Sequence, residues 1–228
     1  MQLSLKDMVE IFAVDDDTIY EWIADREFPH SCINDSYRFN RIDVLEWANR
    51  NHMNLAPAFF QAQEDEGLPA LSEAIRLGGI AYAVEGTTKR EVFSRIVERM
   101  ALPEDMDPEF VIEVLLAREE QGSTGIGDGI AIPHPRTPLV IHGQSSRIAV
   151  AFLRQPVDFD AIDGQPVSTI FTIMTPTIHA HLYMLSRLAM AVRQSRWHEA
   201  LRRAAPAAEL LGVLEEIEAE WSGGKGKE

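Results

Sequence analysis

The sequence predicts two folded parts. Residues 1–51 follow a small winged helix-turn-helix plan, and residues 68–222 form a mixed unit, α+β or α/β, with a sheet flanked by helices. Three observations carry this. The chain has 228 residues, more than one average domain needs. Its first fifth combines helical apolar spacing with a short strand–turn–strand pattern, and its remainder alternates strand and helix signals.

Leu5, Met8, Val9 and Phe12 recur at helical spacing, and Ser4 with Asp7 three residues later is a capping pair. A turn at Ala13-Val14 leads to DDDTIYEWIADR, where Ile19, Trp22 and Ile23 line one face behind acids that suit a helix N-terminus. FPHSCINDSYRF predicts a hairpin turning at Asn34-Asp35, and RIDVLEWANRN a third helix burying Ile42, Leu45 and Trp47 or their neighbours. Between His52 and Ala70, Pro57, Pro69, Gly67 and the cluster Glu64, Asp65, Glu66 are linker chemistry, so the linker is set at 52–67. Beyond it, Ile80–Val84 is a strand, and Thr88 with Glu91 forms a capping box for a helix carrying Val92, Ile96, Val97 and Met100. Asp107-Pro108 opens a helix that stops at Gly122. Strands follow at Gly129–Ile132, Arg147–Leu153 and Val167–Thr175, then a helix from Ile178 to Gln194 and a last one from Pro206 to about Trp221. Residues 223–228 are a frayed tail.

Composition narrows the function. A net charge of −15 opposes a polyanion binder that works by bulk electrostatics. The single cysteine, Cys32, excludes a disulfide framework and a thiolate-rich metal site and suits a reducing cytoplasm. No apolar run approaches the roughly 18 residues of a membrane span, so no membrane insertion is expected. Lys6, Asp7 and Glu10 argue against a signal peptide at the start of the chain.

The densest chemical signal is EEQGSTGIGDGIAIPHPR, Glu119 to Arg136. Its glycines permit positive φ and close approach of backbone amides to a ligand. It is no P-loop, lacking Gly-Lys-Ser/Thr, and no dinucleotide fingerprint, because a strand follows it. The strand leads to His134 between Pro133 and Pro135, which predicts an imidazole held on a stiff, exposed strand end beside Arg136. An imidazole neutral at cytoplasmic pH, next to amide donors, is suited to nucleophilic attack on phosphorus.

The segment LAREEQGSTGIGDGIAIPHPR resembles the active-site motif of enzyme IIA of the fructose/mannitol class of the bacterial phosphotransferase system, especially its nitrogen-regulatory branch. FDAIDGQPV (Phe159–Val167) and HAHLYMLSRLA (His179–Ala189) fit in the same order, and the resemblance covers about residues 68–220. It implies that His134 accepts a phosphoryl group from a phosphocarrier protein, that His181 sits beside it, and that Arg118 offsets phosphate charge. Gly125, Gly127 and Gly129 match the loop around the site, and Ser123 and Thr124 lie in the same phosphate-binding stretch. Arg136 is added from its position alone. No cofactor or metal is implied: carrier-to-carrier transfer asks for alignment and charge stabilisation. Downstream partners would be an enzyme IIB or a regulatory target, in sugar transport or nitrogen regulation. No stretch is recognisable as a IIB or membrane IIC part, which favours regulation.

Residues 1–51 resemble the excisionase/MerR-like helix-turn-helix family in the Thr-Ile-Tyr-x-Trp-Ile helix and the Tyr-Arg-Phe entry to the last helix. The resemblance implies a DNA-binding regulator with the IIA part as phosphorylation sensor, Arg26, Arg38 and Arg41 being the DNA-contact candidates. Against it, this segment holds five basic and eleven acidic side chains, with Asp15, Asp16 and Asp17 opening the second helix. A protein-contact or dimerisation module is the alternative.

Overall fold

In a computed structural model the chain divides into two units, Met1–Glu66 and Gly67–Glu228. The structure describes residues 2–25, 28–33, 36–51, 53, 55–56, 68–100, 102, 106–135 and 145–223.

The first unit runs β1 (Gln2–Leu3), α1 (Leu5–Phe12), α2 (Asp16–Asp25), β2 (Ser31–Ile33), β3 (Ser36–Asn40) and α3 (Arg41–Arg50). Ser4 and Asp7 form the expected box. The Asp7 amide donates to Ser4 Oγ at 3.3 Å and the Ser4 amide to the Asp7 carboxylate at 2.7 Å. That amide, then the Ser4 hydroxyl, holds the Asp7 carboxyl below its ordinary range. Helix α1 ends at Ala13, in the left-handed region at φ 54°, its N–H returning to the Val9 carbonyl. Asp15 then caps α2, accepting from the Thr18 amide at 2.9 Å and hydroxyl at 2.6 Å. One of the three opening acids thus has a local structural task.

Strand β3 lies between β1 and β2 in an antiparallel sheet. The two-residue β1 was not expected from the sequence, being too short to show a period. The rings of Phe12, Trp22, Phe28 and Trp47 meet edge to face or tilted, with Phe28 and Trp47 centroids 4.5 Å apart. Each such pair contributes about 0.5–1.5 kcal/mol beyond area burial. The Asn34-Asp35 turn and the side chain of Ile42 lie outside what is described. So does most of 52–67, although the Ala56 amide donates to the Ile11 carbonyl at 2.7 Å.

The second unit comprises α4 (Leu71–Gly78), β4 (Ile80–Val84), α5 (Lys89–Val97), α6 (Pro108–Glu120), β5 (Gly125–Gly127), β6 (Ile130–Ala131), β7 (Arg147–Val157), β8 (Val167–Met174), α7 (Ile178–Val192), α8 (Ser195–Arg202) and α9 (Ala207–Gly223). The sheet order is β4-β7-β8-β6-β5, with β4/β7 and β6/β8 parallel and the other neighbours antiparallel. It is the mixed sheet flanked by helices that the sequence predicts. Ala149, Ala151, Ile170 and Met174 pack with Val92, Phe93, Ile96, Val111, Ile112 and Leu115 of α5 and α6. On the opposite face Phe171 meets Trp197 of α8, centroids 5.6 Å apart.

Two helices, α4 and α8, were not expected. Each has eight residues, too few for a clear period, and α4 is held by the Glu218 carboxylate of α9, which accepts from the Leu71 amide at 2.6 Å. The capping box of α5 differs by one residue. Thr88 Oγ accepts from the Glu91 amide as expected, but the Glu91 carboxylate reaches the amide and hydroxyl of Thr87.

Candidate functional site

The glycine-rich stretch is a hairpin rather than an open loop. Gly125 pairs with Ala131 and Gly127 with Ile130, leaving Asp128-Gly129 as a two-residue turn. Both turn residues have positive φ, 53° and 71°, the type I′ geometry that Asp-Gly favours. The Asp-Gly pair is the sequence signal for this turn, and the strand expected from Gly129 starts instead at Ile130. The amides of Ser168 and Thr169 donate to the Gly129 carbonyl, and the Asp128 amide to Asp163, fastening the hairpin to β8 and to the turn before it.

From β6 the chain runs through Ile132 and Pro133 to His134. The Ile173 amide donates to the Pro133 carbonyl at 3.3 Å, so this stretch continues beside β8. His134 Nδ1 lies 2.6 Å from the Ile132 carbonyl. The expectation of an exposed strand end is corrected here. The residue is only 2% exposed, because its ring faces that of His181, centroids 4.9 Å apart at 47°. Thr177 caps α7 by accepting from the Ala180 amide, which sets His181 in the first turn, 1% exposed, with Nδ1 3.4 Å from Thr175 Oγ. His179, two residues back, is only half-buried.

Arg118 sits buried in the last turn of α6, its guanidinium donating to the Gly122 carbonyl at 2.9 Å. The Ser123 hydroxyl donates to the Phe159 carbonyl and accepts from the Gly125 amide. The Thr124 amide and hydroxyl donate to the Glu119 carboxylate at 3.1 and 2.5 Å. Gly125 packs so tightly that an added Cβ would lie 2.7 Å from Ala161 Cβ. Gly127 has φ 94° in the hairpin. Arg136 and Arg26 lie outside the described residues, as does the side chain of Arg41; Arg38 is half-buried on β3.

Glu119, Lys89 and Thr175 were missed as site residues. Lys89 Nζ bridges Glu119 at 3.3 Å and Asp160 at 2.9 Å. Burial alone would lower its pKa, but the hydrogen bond to Asp160 and the Glu119 charge hold it above the ordinary lysine value. Glu119 had a signal, a carboxylate inside the motif with neutral Thr124 following it. Lys89, thirty residues earlier, had none. Among the described residues no group of three His, Cys, Asp or Glu could hold a metal ion, and no helix is long and apolar enough to cross a membrane.

The site is thus a buried histidine pair, one ring on the stretch after a glycine hairpin and the other in the first turn of a helix, on a mixed five-stranded sheet. Residues 75–217 match the family model described as "Phosphoenolpyruvate-dependent sugar phosphotransferase system, EIIA 2", and the chain belongs to this family. Residues 3–52 match a helix-turn-helix domain model. The chain is similar to the nitrogen regulatory protein of Pseudomonas aeruginosa, 37% identical over 65% of this chain and 96% of that protein. The Escherichia coli K12 nitrogen regulatory protein is 35% identical over 58% of this chain and 80% of that one. The crystal structure of nitrogen regulatory protein IIA-Ntr from Neisseria meningitidis superposes with a TM-score of 0.56 at 34% identity, covering 63% of this chain and 98% of that chain.

Proposed function

We propose that the chain is a phosphohistidine carrier of the nitrogen-regulatory type, taking its phosphoryl group on His134 Nε2 from a phosphocarrier protein. The observation that carries this is the 2.6 Å contact between His134 Nδ1 and the Ile132 carbonyl. With Nδ1 protonated and donating there, the lone pair is on Nε2. As the bond from phosphorus to the donor's nitrogen breaks, the bond to Nε2 forms. The proton on Nδ1 stays in place, and the Ile132 carbonyl stabilises the positive charge that builds on the ring. With the Thr175 hydroxyl as donor in its 3.4 Å contact with His181 Nδ1, the His181 proton is on Nε2, from which it serves a phosphoryl oxygen. Arg118 and amides of the Gly125–Gly129 hairpin supply the remaining positive potential, and Ser123 and Thr124 hold the loop in shape. The regulatory role is supported by the names of the relatives, with an enzyme IIB or a regulatory protein as the downstream partner.

The test is incubation of the full chain with enzyme I, the phosphocarrier protein and phosphoenolpyruvate, read by intact mass. One phosphoryl group is expected on the wild type and none on His134→Ala; a labelled variant overturns the assignment.

For the helix-turn-helix unit we propose a protein contact in preference to DNA. Asp16, Asp17, Tyr20 and Glu21 are exposed along α2, where a DNA reader needs phosphate-compatible side chains. Salt-dependent binding to promoter DNA that weakens on neutralising Arg38 and Arg41 would reverse this.

A further inference from the structure

Glu119 is buried, its side chain only 2% exposed, and it touches neither histidine ring among the bonds described above. It nonetheless stands at the head of a continuous series of hydrogen bonds that ends on the His134 ring. Its Oε2 accepts from both the amide and the hydroxyl of Thr124. The Thr124 carbonyl accepts from the Ile132 amide at 3.0 Å, and the Ile132 carbonyl receives His134 Nδ1 at 2.6 Å. The other carboxylate oxygen, Oε1, is steadied by Lys89, which is itself tied to Asp160.

We propose that Glu119 is a positioning residue for phosphoryl acceptance. It clamps Thr124 so that Ile132, and through it the Nδ1 proton of His134, is held in one place. This rests on the assignment of His134 as the acceptor. The clamp works by position and not by relayed charge. The Thr124 amide belongs to the peptide shared with Ser123, whereas the Thr124 carbonyl belongs to the next peptide, so no single conjugated group joins the carboxylate to the imidazole. Two donors from one residue onto one buried oxygen fix both the orientation of the Thr124 backbone and its side-chain rotamer. Displacing a nucleophile by about 1 Å is enough to cost on the order of a hundredfold in rate.

Positional control predicts a pattern that charge control does not. Glu119→Gln keeps an acceptor oxygen for Thr124 while losing the charge and the acceptor that Lys89 uses, so it retains the wild-type rate of phosphoryl acceptance to within about threefold. Glu119→Ala removes the acceptor, and the rate constant falls roughly ten- to a hundredfold while the half-saturating concentration of phosphocarrier protein is unchanged. Both are measured on the full chain in the enzyme I assay, beside the ring nitrogen chemical shifts of ¹⁵N-histidine-labelled protein without any phosphoryl donor. The wild type shows His134 as a single tautomer protonated at Nδ1; Glu119→Ala shows a shifted or averaged pair. Wild-type rate and ring shifts in Glu119→Ala overturn the proposal, and so does a Gln variant as slow as the Ala variant. Should circular dichroism show that Glu119→Ala does not fold, Thr124→Val, which deletes only the hydroxyl donor, takes its place: a slowed rate supports the clamp and an unchanged rate overturns it. A wild type that takes no label, or a labelled His134→Ala, condemns the acceptor assignment instead. The ring shifts still decide whether Glu119 positions His134.

Discussion

Gly125→Ala isolates the packing that holds the hairpin against the loop over it. A Cβ at residue 125 would lie 2.7 Å from Ala161 Cβ, 3.1 Å from Ala161 Cα and 3.1 Å from Ser123 Oγ. Apolar carbons are best placed 3.5–4.0 Å apart, so the first contact is short by about 1 Å. Residue 161 cannot simply retreat, because Ser123 donates to the Phe159 carbonyl and Phe159 is wholly buried against Phe93, centroids 5.9 Å apart. Overpacking of this kind costs about 1–3 kcal/mol, and for a unit of this size that lowers Tm by roughly 3–9 °C. Ala161→Gly removes the nearest atom but not the contacts at 3.1 Å, so the double variant should recover part of the loss. Thermal unfolding of the four proteins, followed by circular dichroism, measures the cycle. A Gly125→Ala protein as stable as wild type, or a double variant no better than the sum of the two singles, refutes the close contact.

Asp7→Asn keeps an acceptor for the Ser4 amide but removes the carboxylate charge, so it should destabilise the first unit by about 0.3–1 kcal/mol at neutral pH, the usual worth of an acidic charge in the first turn of a helix. The native Asp7 carboxyl is depressed by the Ser4 amide, so its stabilisation is present above the ordinary aspartate pKa and lost as pH falls through the native value. The gap between wild type and variant in urea midpoints should therefore close below about pH 4, and a gap constant down to pH 2 contradicts the cap. Thr175→Val keeps the shape of the side chain and removes the hydroxyl from His181 Nδ1. Losing that bond should slow phosphoryl acceptance roughly three- to tenfold with little change in Tm, checked in the enzyme I assay.

What could be seen in the sequence was what is decided within a few residues. The Ser4–Asp7 box, the Asp107-Pro108 helix start and the starts of β7 at Arg147 and of β8 at Val167 are decided by nearby residues, and they stand where they were expected. The Asp128-Gly129 turn is equally local, but glycines beside a histidine suggest a ligand before they suggest a hairpin. The burial of His134 had no local signal at all. It depends on a ring 47 residues later, brought into contact only because β8 and β6 lie side by side and α7 starts where β8 ends.

The same division explains why the motif shows the proposed acceptor histidine and hides its support. Phosphoryl transfer draws on few side chains that touch phosphorus, so the residues with a chemical signature are the histidines and an arginine. Rigidity is supplied by groups with ordinary roles elsewhere. Glu119 and Lys89 look like a helix end and a helix start, and only the fold turns them into one clamp on Thr124. A carrier must hold its imidazole in one tautomer and one place whether or not it bears phosphate. On the proposed reading it therefore has reason to place a buried acceptor on backbone that is not itself bonded to the ring, which is where Glu119 lies.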